Sequence, residues 1–189
     1  MNVKDLLNLK NKTILVTGGA GIYGKTIVEG LAEAGGTVIT ASRNPESGKK
    51  TAEEFQNKGL DVHALQVDQA DHNSVLQLKK NILNKFGKLD VFVNNAVLRP
   101  MPDYDAPIET FAESMKVNAT GMMDILREMV DLIVQSKGGS VINISSMMGM
   151  YGPELSNYEG TTMGNPPPDY FFHRGGIPHS SAFIVGKFR

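Results

Sequence analysis

The sequence contains no cysteine, which excludes disulfides and cysteine-ligated metals. Its four histidines (63, 72, 173 and 179) are scattered, without metal-ligand spacing, so no metal site is expected. An excess of one charge is also missing. Lys+Arg 19 against Asp+Glu 20 leave a formal net charge of −1 and no basic block. That argues against a nucleic-acid or anionic-membrane surface. No apolar run approaches the ~20 residues needed to span a bilayer. The stretch Met1–Lys10 is broken by charges and has no signal-peptide core. A soluble, cytoplasmic protein is expected, and 189 residues suit one domain with ample core.

What is present is organised around residues 13–24. The apolar run Ile14-Leu15-Val16 ends in a glycine cluster, and Ile27, Val28, Leu31 and Ala32 follow at helical spacing. Gly19, Gly21 and Gly24 fit G-x-G-x-x-G between a strand and a helix. In a dinucleotide site that spacing serves a tight turn, close approach to a pyrophosphate and close helix–strand packing. The free N–H groups of the following helix would hold the anion. Taken alone, such a turn is also compatible with a plain turn.

The alternation then continues. Strands are expected at 37–41, 62–67, 89–93 and 140–144. Between them lie helices from Pro45 to about Lys58, from an Asp71 cap to Phe86 with Gly87 as its stop, and over about 108–136. Buried β-branched strands between helices imply an α/β fold, a doubly wound parallel sheet of Rossmann type. From Met147 to Pro168 the pattern gives way to a polar, Gly- and Pro-rich loop of the kind that walls active sites. Met147, Met148 and Met150 are expected to line an apolar wall or pack the core.

Four segments together resemble the short-chain dehydrogenase/reductase family over about residues 9–176. Thr17-Gly18-Gly19-Ala20-Gly21-Ile22-Tyr23-Gly24 resembles its cofactor motif, in the family's extended form, since the commonest form has Gly where Ile22 stands. Asn94-Asn95-Ala96 matches its Asn-Asn-Ala-Gly, with Val97 replacing the last Gly. Asn118 in Val117-Asn-Ala-Thr-Gly121 resembles the active-site Asn, and Val141-Ile-Asn-Ile-Ser-Ser146 the strand delivering the catalytic Ser. The resemblance implies that Gly18, Gly19, Gly21, Ile22, Gly24, Asn94, Asn95 and Ala96 bind a nicotinamide dinucleotide. Asp68 resembles the family residue at adenine, although a helix-entry Asp is the plainer reading. Arg43 ends the second strand where a carboxylate would favour NAD(H), and it could pair with a 2′-phosphate. NADP(H) is therefore favoured over NAD(H).

The family's acid–base pair is Tyr-x-x-x-Lys, with both residues on one helix face. A free Tyr titrates near ~10 and needs a nearby cation to work at neutral pH. Tyr158 lies twelve positions after Ser146, but Thr162 stands in its Lys place. Tyr170 is followed by Arg174 and Gly175-Gly176, behind a Pro-rich segment resembling an insertion in members that accompany sugar biosynthesis. Tyr170 is the choice. The resemblance then implies Asn118, Ser146, Tyr170 and Arg174 as the catalytic set, acting on a carbonyl or alcohol small molecule, with a sugar-like one as an option. Arg174 departs from the family pattern, because a planar fork is not an ammonium, and weakened catalysis is expected. His173 is expected to point off the Tyr170/Arg174 face.

Family members continue beyond the catalytic helix and are usually homo-oligomers. Here Pro178 disfavours further helix, so residues 1–176 are expected to form an incomplete dinucleotide-binding domain and 177–189 an unrelated or disordered tail. Such a chain would lack the family's last strands and substrate-binding helices, exposing a sheet edge and lowering stability. The alternative to an active reductase is a nucleotide-binding fragment without turnover.

Overall fold

The computed structural model describes residues 2–161 and 167–187. They fall into two compact units, one from residues 1–96 and 121–142, the other from 97–120 and residues from 143 onward. The first unit follows a capped turn, α1 (Val3–Leu6), with the alternating strands and helices that the sequence implies. β1 (Thr13–Thr17), β2 (Thr37–Ser42), β3 (Val62–Gln66), β4 (Val91–Asn94) and β5 (Ser140–Asn143) lie in one sheet, in the order β3-β2-β1-β4-β5. β1 pairs in parallel with β2 from Thr13↔Thr37 to Thr17↔Ala41, and with β4 from Ile14↔Val91 to Val16↔Val93.

All five residues of β1 are buried, which is what a continuous apolar run rich in β-branched residues requires when both sheet faces are covered. The covering helices are α2 (Ile22–Glu33), α3 (Pro45–Gln56), α4 (His72–Phe86) and α6 (Met122–Gln135). Right-handed crossovers in this strand order place α2 and α3 on one face and α4 and α6 on the other. Lys79 of α4 accordingly reaches Glu128 of α6 at 2.9 Å and also pairs with Asp131. The expected stops hold: the Asp71 carboxylate accepts from Asn73 N at 3.0 Å, and Gly87 takes φ +75°. The order reverses between β1 and β4, the point at which such sheets bind ligands beyond their carboxyl ends.

Opposite that end, buried Asp90 ties strands together. It accepts from Thr13 N at 2.8 Å and pairs with Lys88 at 2.8 Å, while its backbone oxygen accepts from Ser140 N at 3.0 Å. Burial pushes its carboxyl up, but the Lys88 and Thr13 hydrogen bonds and the nearby lysine charges outweigh it, and the net direction is down.

In the second unit the single helix expected over 108–136 is broken. α5 (Ile108–Met115) passes into a π-helical turn, Lys116–Gly121, before α6 begins. Short 3₁₀ turns at Met147–Gly149 and Leu155–Tyr158 precede α7 (Pro168–Lys187). α7 corrects the expectation at Pro178, because the helix runs through it to Lys187 and the boundary expected at 176/177 falls inside a helix. A proline at 178 cannot donate to the carbonyl of residue 174. The Ser145 hydroxyl donates to that Arg174 carbonyl instead, at 3.2 Å. Ile177, just before the proline, is buried, and beyond the proline Ser181 donates to Ile177 O at 2.8 Å while accepting from Asn143 Nδ2 at 2.9 Å. Met147 and Met150 are 72% and 71% exposed, so neither packs a core. No strand follows β5 among the described residues, and Thr162 with the rest of 162–166 lies outside them. Among the described residues no helix is long and apolar enough to cross a membrane.

Candidate cofactor cradle and catalytic cluster

The first unit holds the glycine turn. Gly18 has φ +65°, and a Cβ there would stand 2.9 Å from Ala96 Cα, so a side chain is excluded both by conformation and by space. Gly24 is the second such position, since a Cβ would collide with the Gly18 carbonyl and the Gly19 Cα. Gly19 lies against Thr40 and Val28, which brings α2 close onto the sheet. Gly21 is the N-cap of α2 and its N–H donates to Gly18 O at 3.0 Å. No side chain caps this helix and no acid stands in its first turn, so its N–H groups and positive end remain for an anion. Ile22 opens α2 with its side chain 91% exposed.

Asn94-Asn95-Ala96 leaves the end of β4 and closes onto this turn through Thr17. The Thr17 hydroxyl accepts from Asn95 N at 3.1 Å and Ala96 N at 3.2 Å, and donates to Asn94 Oδ1 at 3.4 Å. Asn95 Nδ2 donates to Thr17 O at 3.1 Å and Gly18 O at 3.3 Å. Two distant motifs thus form one rigid rim. Arg43, just past β2, is exposed, and its guanidinium has no partner among the described residues. Asp68 enters α4 through a turn in which its Oδ1 accepts from Ala70 N at 2.9 Å and its N–H donates to Ser74 Oγ at 2.9 Å.

The second unit holds Ser146, Tyr170 and Arg174 of the expected catalytic set. Ser146 ends the segment after β5, and its Oγ accepts from Met148 N at 3.2 Å, which leaves its own hydrogen free. That hydroxyl and the Arg174 guanidinium both interact with the Tyr170 oxygen. Tyr170 and Arg174 share a face of α7, and Arg174 also donates to Ile144 O, two residues before Ser146. Gly149 comes so close to the Arg174 carbonyl that a Cβ would stand 2.6 Å from it. Burial pushes the Tyr170 hydroxyl up, but the Ser146 hydrogen bond, the charges of Arg174 and Arg99 and the Arg174 hydrogen bond outweigh it. The net direction is below 10. Tyr158 is not part of this cluster; its carbonyl accepts from Thr161 Oγ1 at 2.8 Å.

Asn118 is buried in the π turn with its amide fully engaged. Its Oδ1 accepts from Leu98 N at 2.8 Å, and its Nδ2 donates to Leu98 O at 2.6 Å and Ser114 Oγ at 3.0 Å. The structure therefore joins it to the loop after β4, not directly to Ser146 or Tyr170. π turns of this kind recur at functional sites.

Two residues of the cluster were not expected. The Arg99 guanidinium lies 4.8 Å from the Tyr170 ring centroid and that of Arg174 lies 5.1 Å from it. A sequence signal existed, for Arg99 stands three residues past Ala96 on the loop leaving a strand's carboxyl end. His173, expected to point elsewhere, is buried and packs edge-to-face on Tyr170 at 5.3 Å, because positions i and i+3 also share a helix face. Burial, with Arg174 and then Arg99 beside it, pushes His173 down to about 4, so it is neutral at pH 7. Asp169, in the first turn of α7, is 1% exposed and neither carboxylate oxygen has a hydrogen-bond partner. Among the described residues no group of three His, Cys, Asp or Glu is placed to hold a metal.

Against known proteins, the short chain dehydrogenase family model matches residues 12–164. An uncharacterized oxidoreductase of Thermotoga maritima is 33% identical over 139 residues, 73% of this chain and 54% of the relative. The chain thus spans little more than half of that relative's length. The crystal structure of NAD+-bound xylitol dehydrogenase superposes with a TM-score of 0.82 at 24% identity, covering 96% of this chain and 67% of that one. A gluconate 5-dehydrogenase from Burkholderia cenocepacia J2315, in complex with NADP and tartrate, gives 0.86 at 21% identity, covering 99% and 69%. At these identities the two structures are alike in fold.

Proposed function

Because this chain belongs to the short-chain dehydrogenase family, we propose that it exchanges hydride between a nicotinamide dinucleotide and a carbonyl or alcohol carbon of a small, sugar-like substrate. One observation carries the reading: the Tyr170 oxygen is shared between a hydroxyl, Ser146, and a cation, Arg174.

The dinucleotide fits the residues present in the first unit. An uncapped helix N-terminus behind glycines that admit no side chain leaves backbone N–H groups for a pyrophosphate. Gly18, Gly19, Gly21, Ile22 and Gly24 would hold that group, with Asn94, Asn95 and Ala96 forming the rim and Asp68 standing at the adenine. The unpaired Arg43 would take a 2′-phosphate, which favours NADP(H) over NAD(H). The similar structures do not decide this, one being bound to NAD+ and the other to NADP. When bound, the nicotinamide supplies or accepts the hydride.

The protein's own groups manage the proton. In reduction the Tyr170 hydroxyl gives its proton to the substrate oxygen, and in alcohol oxidation the phenolate takes it back. The Ser146 hydroxyl donates to the same substrate oxygen and polarises the carbonyl. Arg174 stabilises the phenolate in the place where family members carry Lys. Asn118 holds the loop that carries Leu98 and Arg99. The contrasting reading, nucleotide binding without turnover, is favoured by one feature, the guanidinium in place of an ammonium at 174.

Melting with and without excess NADPH or NADH, followed by a screen of sugars, polyols and sugar acids, tests both readings. A ligand that binds only the folded state must raise the melting temperature. A rise with NADPH exceeding that with NADH, together with turnover, is expected. A cooperative melt that neither dinucleotide shifts refutes the cofactor site, and a shift without turnover establishes the contrasting reading.

A further inference from the structure

The Tyr170 ring carries two guanidinium groups where the proposed proton chemistry requires one. Arg174 is the internal cation: it is buried and already donates to Ile144 O and the Tyr170 oxygen. Arg99 is different. Its side chain is exposed, and none of its N–H donors has a partner among the described residues. No carboxylate of the described residues forms an ion pair with either arginine.

Arg99 is nonetheless held in place. Leu98, its neighbour in sequence, has both its N–H and its C=O bonded to the Asn118 side chain, at 2.8 and 2.6 Å. The backbone that delivers the arginine is therefore pinned from a buried π turn, and the guanidinium rests on the Tyr170 ring 4.8 Å from the centroid. A guanidinium lying over a ring leaves its in-plane N–H fork open. The Arg99 charge helps that of Arg174 hold the Tyr170 hydroxyl down, but acting through the ring in this way occupies none of its N–H donors. An open, positioned, uncompensated fork beside a proton-transfer group is suited to a planar, bidentate anion. A phosphate would call for further donors around it, and the described residues show a single free fork here.

We propose that Arg99 binds a carboxylate of the substrate, so that the reaction at Tyr170 is that of a hydroxy or oxo acid rather than a neutral polyol. This rests on Tyr170 being the acid–base group, but the binding site itself can be tested without turnover. Glycerate and glycerol share a three-carbon skeleton and differ in the carboxylate, so they serve as probes. Isothermal titration of each into the full chain compares wild type, Arg99→Ala and Arg99→Lys, with equal melting temperatures as the folding control.

Glycerate is expected to bind wild type, to weaken at least tenfold in Arg99→Ala, and to fall between the two in Arg99→Lys. Glycerol is expected to show no dependence on residue 99. The proposal is overturned if glycerate fails to bind wild type, binds Arg99→Ala equally well, or is displaced by equimolar inorganic phosphate. Failure of the wider reading looks different. Glycerate binding that depends on Arg99 without any dinucleotide-induced melting shift leaves the carboxylate site standing and removes the oxidoreductase assignment. Turnover of neutral ketones with no glycerate binding does the reverse.

Discussion

The two units of this chain hold themselves together by opposite means. In the first, β1 is buried from end to end and the largest fully buried side chains include Phe55, Phe92, Leu78 and Ile125. Its stability rests mainly on apolar packing, with Asp90 as a buried acid whose carboxyl burial pushes up and its lysine partners hold down. In the second, the buried groups on α7 include Asp169, His173 and Arg174, at 1%, 5% and 5% exposure, and atoms of all three lack hydrogen-bond partners. Burying such groups opposes folding. Among them, burial with Arg174 and Arg99 alongside pushes His173 down to about 4. The comparison teaches that the first unit is held by packing, whereas the second gives up stability to bury polar groups around Tyr170.

The largest effect should come from the cluster. Tyr170→Phe keeps the ring that both cations approach and removes only the reacting oxygen. Turnover should fall about a thousandfold, about 4 kcal/mol in the barrier, with the dinucleotide-induced melting shift intact. Steady-state rates and melts on the same sample decide it; an unchanged rate would remove Tyr170 from the chemistry.

The cradle should break differently. In Gly24→Ala the new methyl meets the Gly18 carbonyl, backbone that cannot swing aside. Urea unfolding should show a loss of about 3 kcal/mol, typical of overpacking at a rigid site, and the dinucleotide shift should vanish. Full stability would show that the glycine turn is looser than its geometry indicates.

The pH response should separate the units. His173 sits near 4 in the folded state against about 6.5 when unfolded, so between those values the unfolded chain binds more protons and stability rises with pH. The contribution is complete above 6.5 and is lost as pH falls through 4, about 3 kcal/mol in all. Hydrogen exchange at pH 7 and pH 5 should show α7 amides losing protection while β1 amides keep theirs, and His173→Gln should flatten the response. Equal loss in both units would contradict the contrast.

The smallest effect belongs to the exposed Arg43. Arg43→Ala should weaken NADPH about tenfold, about 1.4 kcal/mol, and leave NADH unaltered. Equal weakening of both in titration would mean that the residue does not read the 2′-phosphate.

The sheet and its cradle were legible in the sequence because their causes are local. A β-branched run, a glycine turn and an apolar helix stripe lie within a few residues of one another, and Asp71 and Gly87 mark their helix ends directly. The cluster was legible only by resemblance, in Ser146, Tyr170 and Arg174. Arg99 was missed because its partner Tyr170 lies far along the chain, and no periodicity records a ring stacked on a loop residue. The π turn was missed for the same reason, since it is bound up with Asn118 reaching Leu98.

Pro178 shows most plainly where the division falls. By itself the sequence determined that this residue withholds a backbone donor, because the pyrrolidine ring has no N–H. It likewise determined a parallel sheet with a glycine turn at its first strand, through patterns that depend on near neighbours. Only the tertiary structure decided that α7 continues, since the acceptor left open at Arg174 is filled by the hydroxyl of Ser145 from another part of the chain. The same long-range packing decided which cations meet Tyr170, because side-chain proximity follows from how elements stack, and stacking is a property of the fold.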